Sequence, residues 1–240
     1  EAFAEAAEMA GKLPKLGVGV HLTLVGEKPV ENPARVPSLL NGGVCFYDNY
    51  TQFIKKYAQG KIDHQEIARE FRAQIEKAQK LKITHLDSHQ HLHVLPGIIE
   101  LVIELALEFG IKAVRVPGES FFFRGGYQAG LGRFIGRSGL TALALNARRK
   151  IKKAALLAPD NFFGMLAGGN LREEFLLNIL AAVPAGVSEI MIHPAADDRA
   201  LQVKYGWAHN WQAELSALTS EKVLWEIKKQ KIELISFGNL

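Results

Sequence analysis

One cysteine, Cys45, is all the thiol this 240-residue chain carries. No intrachain disulfide can form, and a zinc site built on paired thiolates is excluded. A reducing compartment fits that usage. Long apolar runs are lacking too: no stretch reaches the 18 or so residues that span a bilayer, and no signal peptide is visible. An initiator methionine is missing, and residues 1–11 read as the body of a helix, so an upstream segment is expected. Acidic residues are absent from one region. From Ser120 to Pro159 there is no Asp or Glu, while Arg124, Arg133, Arg137, Arg148, Arg149, Lys150, Lys152 and Lys153 all fall there. The formal charge of +4 therefore belongs to one segment, and the rest of the chain is net acidic. Apolar residues are plentiful. At 48% they allow a sizeable core and argue against disorder, and the length suits one domain of barrel size, 1–240.

Histidine is the residue that clusters. Thr84-His-Leu-Asp-Ser-His-Gln-His-Leu-His93 holds four of the eight histidines and a carboxylate. His85, Asp87, His89, His91 and His93 alternate, so in an extended strand all five converge on one face. His91 and His93 turn away if the strand ends before them. Neutral imidazole is the commonest metal ligand and titrates near neutral pH. The row points to a metal or proton-transfer site rather than a solvated His-rich loop.

Strand and helix patterns alternate along the chain. Leu16–Val25 reads as a strand in which Gly17, Gly19, His21 and Thr23 share a face, and two glycines leave room for something to approach it. Residues 26–48, with three prolines and Gly42-Gly43, read as a long irregular loop, often a functional feature in compact domains. Asp63 and Glu66 have the capping-box spacing before a helix that buries Ile67, Phe71, Ile75, Ala78 and Leu81. A helix over 96–109, a strand over 112–116, a helix over 171–183 capped by Asn170 and Glu173, and a strand over 187–192 follow. A helix begun by Thr219 or Ser220 and a final strand over 232–237 complete the pattern. Repeated units of this kind give a parallel sheet, open or closed into a barrel, with ligands at the carboxyl ends of the strands. His89 and His193 fall at such ends. Residues 120–158 interrupt the alternation as a basic helical insertion. It is either a helical hairpin over a barrel mouth or an amphipathic face for an anionic membrane. No nucleic-acid recognition module is present.

Two histidines from separate strands plus a carboxylate make a donor set for a divalent ion with open positions for water and substrate. His21 and His89 are the candidate metal ligands. Asp87 would orient an imidazole through its free ring nitrogen, and with His193 it is a candidate catalytic group. His193, from a third strand, would act as general acid. The residues alone indicate metal-assisted hydrolysis and leave the substrate open. A metal-dependent phosphoesterase and a non-catalytic membrane-surface or lipid-binding protein are the rivals.

Gly19-Val-His21-Leu-Thr-Leu, Thr84-His-Leu-Asp-Ser-His89-Gln-His and Met191-Ile-His193-Pro-Ala resemble the motifs of the YdjC/ChbG-type carbohydrate deacetylases. The likeness extends to Trp211-Gln-Ala-Glu-Leu-Ser-Ala-Leu-Thr-Ser and Ile232-Glu-Leu-Ile-Ser. It implies a distorted (β/α) barrel of the polysaccharide-deacetylase-like type, here without its first strand, that removes acetyl groups from N-acetylated sugars. By position His21 and His89 match the family's metal-binding histidines, and His193 matches its His-Pro motif. A divalent ion, Mg or Zn, is the implied cofactor. The basic insertion before Asp160-Asn-Phe-Phe-Gly164 is similar to the hopanoid-biosynthesis-associated, HpnK-like branch, which implies a lipid-linked amino sugar. The family's opening Asp-Asp-Phe-Gly, which supplies a metal ligand and a general base, has no counterpart; the one Asp-Asp pair is Asp197-Asp198. The chain as it stands is therefore expected to bind metal weakly and turn over poorly. Expected partners are an N-acetylated carbohydrate or glycolipid and, through 120–158, a membrane surface, in the cytoplasm; nucleic acid is not expected, and a homodimer is compatible.

Overall fold

A computed structural model describes residues 2–240. The chain divides into two compact units, Glu1–Val116 with Asn146–Ala158 and Ile235–Leu240, and Pro117–Leu145 with Pro159–Leu234.

In the first unit α1 (Phe3–Gly11) precedes β1 (Val18–Leu22), then α2 (Tyr50–Ala58), α3 (His64–Ala78), β2 (Ile83–Ser88), α4 (Ile98–Glu108) and β3 (Ala113–Val114). The strands form a parallel sheet in the order β1-β2-β3, with His21 level with Asp87, Gly19 with His85 and Leu86 with Val114. Helices cross between the strands because parallel neighbours need long connections. The core is Leu22, Leu86, Phe53, Phe71, Ile75 and Ile98 among others. The stripe on α3 is buried as its periodicity predicts, with Leu81 just past the helix and part-exposed.

The loop over 26–48 is irregular, with 3₁₀ turns at Pro33–Arg35 and Pro37–Leu39. Two buried carboxylates of α3 hold it. Glu70 accepts from the Val30 and Glu31 amides at 2.9 and 3.0 Å, and Glu66 from the Ser38 amide at 2.7 Å. Asp63 caps α3 through the Gln65 amide. Glu66 is drawn to the loop, so the reciprocal capping box does not close.

Helix α5 (Leu131–Lys153) is one helix of 23 residues, not the hairpin that 120–158 suggests. It contains no proline and no paired glycines that would break it. Its residues to Leu145 belong to the second unit and those from Asn146 to the first. Arg137 is buried, where its guanidinium donates to the carbonyls of Ser120, Phe121 and Phe123 at 2.6, 3.0 and 3.1 Å. It also lies 3.7 Å from the buried Glu119, whose carboxyl is pushed up by burial. Lys150 pairs with Glu100. The basic run is thus partly consumed by internal structure.

The second unit continues with β4 (Asn161–Phe163), α6 (Glu173–Ala182), β5 (Ser188–Ile190), α7 (Asp198–Tyr205), α8 (Trp211–Leu218) and α9 (Glu221–Lys229). Strands β4 and β5 are parallel, with Phe163 level with Ile190. Their core gathers Phe163, Leu171, Leu176, Ile179, Leu180 and Val223. Ser220 caps α9 as expected, but α6 starts from Arg172 without a side-chain cap, because Glu173 bonds Ser220 and Lys222 instead. No strand forms over 232–237 among the described residues. Ser236 and Asn239 instead close a 3₁₀ turn at Phe237–Asn239.

Candidate functional site

The parallel register of β1 and β2 sets His21 beside Asp87 at the carboxyl end of the sheet. His21 Nδ1 lies 3.0 Å from Asp87 Oδ1, so the carboxylate accepts its N–H and leaves Nε2 outward with a lone pair. Arg115, just past β3, donates to the other oxygen, Asp87 Oδ2. Asp87 is buried, and burial opposes its ionisation, but the hydrogen bond from His21 and the charge of Arg115 outweigh this. They hold the carboxyl well below the usual range. His89 follows β2 directly, and its ring meets that of His21 edge-on at 5.7 Å between centroids. The His21 side chain is 53% exposed, and His89 is half-buried.

The five-residue row does not converge on one face. The strand ends at Ser88, and Gln90 and His91 take positive φ of 51° and 56°, which turns the chain inward. His91 and His93 are buried, where desolvation lowers both pKa values, that of His93 to about 4. His93 bridges Ser88 Oγ, 2.6 Å from Nδ1, and the Arg115 carbonyl, 2.9 Å from Nε2. It fixes the backbone that presents Arg115 to Asp87. His85 stacks on Phe237 at 3.8 Å, and burial lowers its pKa to about 4. Its Nε2 stands 2.4 Å from where a Cβ on Gly19 would lie. The room left by that glycine is filled from within by an imidazole, not by a ligand.

Two adjacent imidazoles, one of them oriented by a carboxylate, are the donor types that a divalent ion takes at Zn–N distances of about 2.0–2.1 Å. By donor chemistry they would fill at most two positions of such a site. Both Asp87 oxygens are engaged, and among the described residues no group of three or more His, Cys, Asp or Glu side chains is placed to hold a metal.

His193 belongs to the second unit, three residues past β5. Glu214 of α8, fully buried, accepts from the Leu171 amide at 2.9 Å and from the His193 amide, and its Oε2 lies 3.8 Å from His193 Nδ1. His209 meets the His193 ring at 5.5 Å. Burial, and then the neighbouring His193, lower the pKa of His209.

A family model described as YdjC-like protein matches residues 1–229. The chain belongs to the YdjC-like family. A carbohydrate deacetylase of Brevibacillus brevis is 31% identical over all of this chain and 84% of its own length. A chitooligosaccharide deacetylase of Enterobacter sp. strain 638 is 29% identical, again over all of this chain and 84% of its own. The crystal structure of a proposed cellobiose-phosphate cleavage protein of Enterococcus faecalis V583 superposes with a TM-score of 0.76. It covers 99% of this chain and 83% of that one at 23% identity, a likeness of fold.

Within this YdjC-like chain the structure brings together three predicted residues, His21, Asp87 and His89, and sets His193 beside Glu214 in the other unit. Sequence reasoning missed Arg115, His93 as a brace, Glu214 and His209. Arg115 was legible in outline, since a cation ending a parallel strand next to one that carries Asp87 can reach it. Glu214 gave no signal, because its role comes from helix packing.

Proposed function

We propose that this YdjC-like chain is a metal-dependent hydrolase that removes an acetyl group from an N-acetylated amino sugar, with His21 and His89 holding a divalent ion, Mg or Zn. The supporting observation is the adjacent His21–His89 pair, with His21 oriented by a buried, ionised Asp87, in a chain whose relatives bear deacetylase names. An ion bound there would polarise the acetyl carbonyl and lower the pKa of bound water. Asp87 keeps His21 in the tautomer with Nε2 outward, and Arg115 keeps Asp87 charged. As the amide C–N bond breaks, the amine nitrogen must take a proton, and His193 is the group assigned to give it. Glu214 accepts from the backbone at His193 and so fixes where that imidazole starts. The parallel strands and crossover helices suit a distorted (β/α) barrel of the polysaccharide-deacetylase-like type.

A lipid-linked substrate, as in the HpnK-like branch, is favoured by one observation. Phe122 is 95% exposed, and Leu131 and Ile135 stand exposed one helical turn apart on α5.

Acetate release from N-acetylglucosamine oligomers tests the main reading. EDTA should abolish it, and Mg or Zn should restore it. His21→Ala and His89→Ala should each lose more than the roughly 10–100-fold that outer partners of a metal ligand contribute. Phosphate release from a sugar phosphate, with no acetate from any N-acetylated sugar, would replace this reading with a phosphoesterase.

A further inference from the structure

Glu119 is buried, at 1% exposed, and the hydrolysis proposed above gives it no part. Taking a carboxylate out of water is costly unless hydrogen bonds and opposite charge offset it. Its Oε1 accepts from the Gly164 and Met165 amides at 2.9 and 3.1 Å, and the Leu166 backbone bonds the same carboxyl. Successive amides turned to one anion make a backbone nest. Arg137 stands 3.7 Å from Oε2, and the Glu119 carbonyl accepts from Thr141 Oγ1 at 3.0 Å. Helix α5 thus holds both the main chain and the side chain of Glu119.

The three amides open the loop over 164–171 that follows β4. Its glycines face inward. Gly164, at φ 99°, has the Met191 carbonyl oxygen 2.5 Å from where a Cβ would lie, and Gly168 has Met191 Cε at 3.2 Å. The His209 ring fills the space where a Cβ on Gly169 would lie. The Leu171 amide then donates to Glu214 Oε1 at 2.9 Å, and the other oxygen of Glu214 accepts from the His193 amide. Met191 is two residues before His193, and the His209 ring is 5.5 Å from the His193 ring. One loop within the second unit therefore packs on three neighbours of His193, with no side chain between backbones to absorb a shift.

We propose that Glu119 is a positioning residue for His193, setting the place of the imidazole by holding the opening residues of loop 164–171. This rests on the reading of His193 as the group that protonates the leaving amine. Arg133 and Asn210 also hold the loop, at the Gly168 and Gly169 carbonyls. Glu119 therefore governs its first half and the contact with Met191. Release of the three amides lets Met191, and with it His193, move. A displacement of about 1 Å can cost roughly 100-fold in rate. An interaction needed only in the transition state is lost from kcat and not from KM.

Acetate release from N-acetylglucosamine oligomers and the imidazole NMR signals of the whole chain test this. Glu119→Ala should lower kcat about 10–100-fold, leave KM unchanged and shift the His193 and His209 ring signals. Glu119→Gln keeps a carbonyl oxygen for the amides and should restore most of kcat. Wild-type kcat and unmoved ring signals in a folded Glu119→Ala would overturn the assignment, as would a Glu119→Gln no better than Glu119→Ala. Should Glu119→Ala fail to fold, amide exchange in the wild type decides. The Gly164 and Met165 amides should exchange far more slowly than exposed loop amides, and equal rates would sink the proposal. A wild type that releases no acetate removes the hydrolytic reading, while ring signals that still move in Glu119→Ala leave the positioning of His193 standing. Acetate release with unchanged kcat and unmoved rings in the variant does the reverse.

Discussion

Asp87 shows how much one side chain can settle. It is anchored by Arg115, which is braced by His93, and it directs His21. The charge, rather than the shape, orients the imidazole, since the neutral amide of Asp87→Asn could present its NH₂ group to His21 instead. That variant should fold and should bind Zn or Mg about 10–100-fold more weakly by calorimetry. Unchanged affinity would show that Asp87 plays no part in metal binding. This cluster was legible from alternation only as far as Ser88. Beyond it, the positive φ at Gln90 and His91 depends on tertiary packing that no two-residue period records.

At the scale of elements, α3 does more than bury a stripe. Glu70 accepts from two loop amides and from Gln74 Nε2 at 2.7 Å. Hydrogen bonds to charged groups contribute roughly 1.5–3 kcal/mol each. Glu70→Ala should therefore cost about 2 kcal/mol in denaturant unfolding and speed amide exchange at Val30 and Glu31. Slow exchange in the variant would mean that the loop is held by its own turns. Helix α3 itself was readable because its period and N-cap agree. The loop's attachment was not, since a carboxylate on a helix reads as solvated until something packs over it. The strand expected over 232–237 failed for a related reason. Its apolar residues suit a strand, but Phe237 stacks on His85 and Ser236 caps a turn, and neither partner is local.

For the whole molecule, the uneven charge sets the remaining expectation. Arg137 and Lys150 are committed internally, so fewer cations remain on 120–158 than the sequence suggests. If the exposed Phe122, Leu131 and Ile135 meet a lipid surface, co-sedimentation should occur with anionic vesicles and not neutral ones, and should weaken with salt. No sedimentation with either would remove the lipid-surface reading. Among the described residues no helix is long and apolar enough to cross a membrane. The parallel α/β character was visible in the alternation of elements, and the family in three short motifs. The division into two units was not visible, because contact between distant segments leaves no mark in composition.

The imidazole of His85 over Gly19 binds the history of two positions far apart in the chain. Neither can drift alone: a methyl at 19 must displace a ring, and a smaller residue at 85 leaves a void against Phe237. Gly19→Ala should then be poorly tolerated unless position 85 shrinks with it, so a library randomised at both sites should return correlated survivors. The glycine serves as a mould for a side chain that another strand supplies.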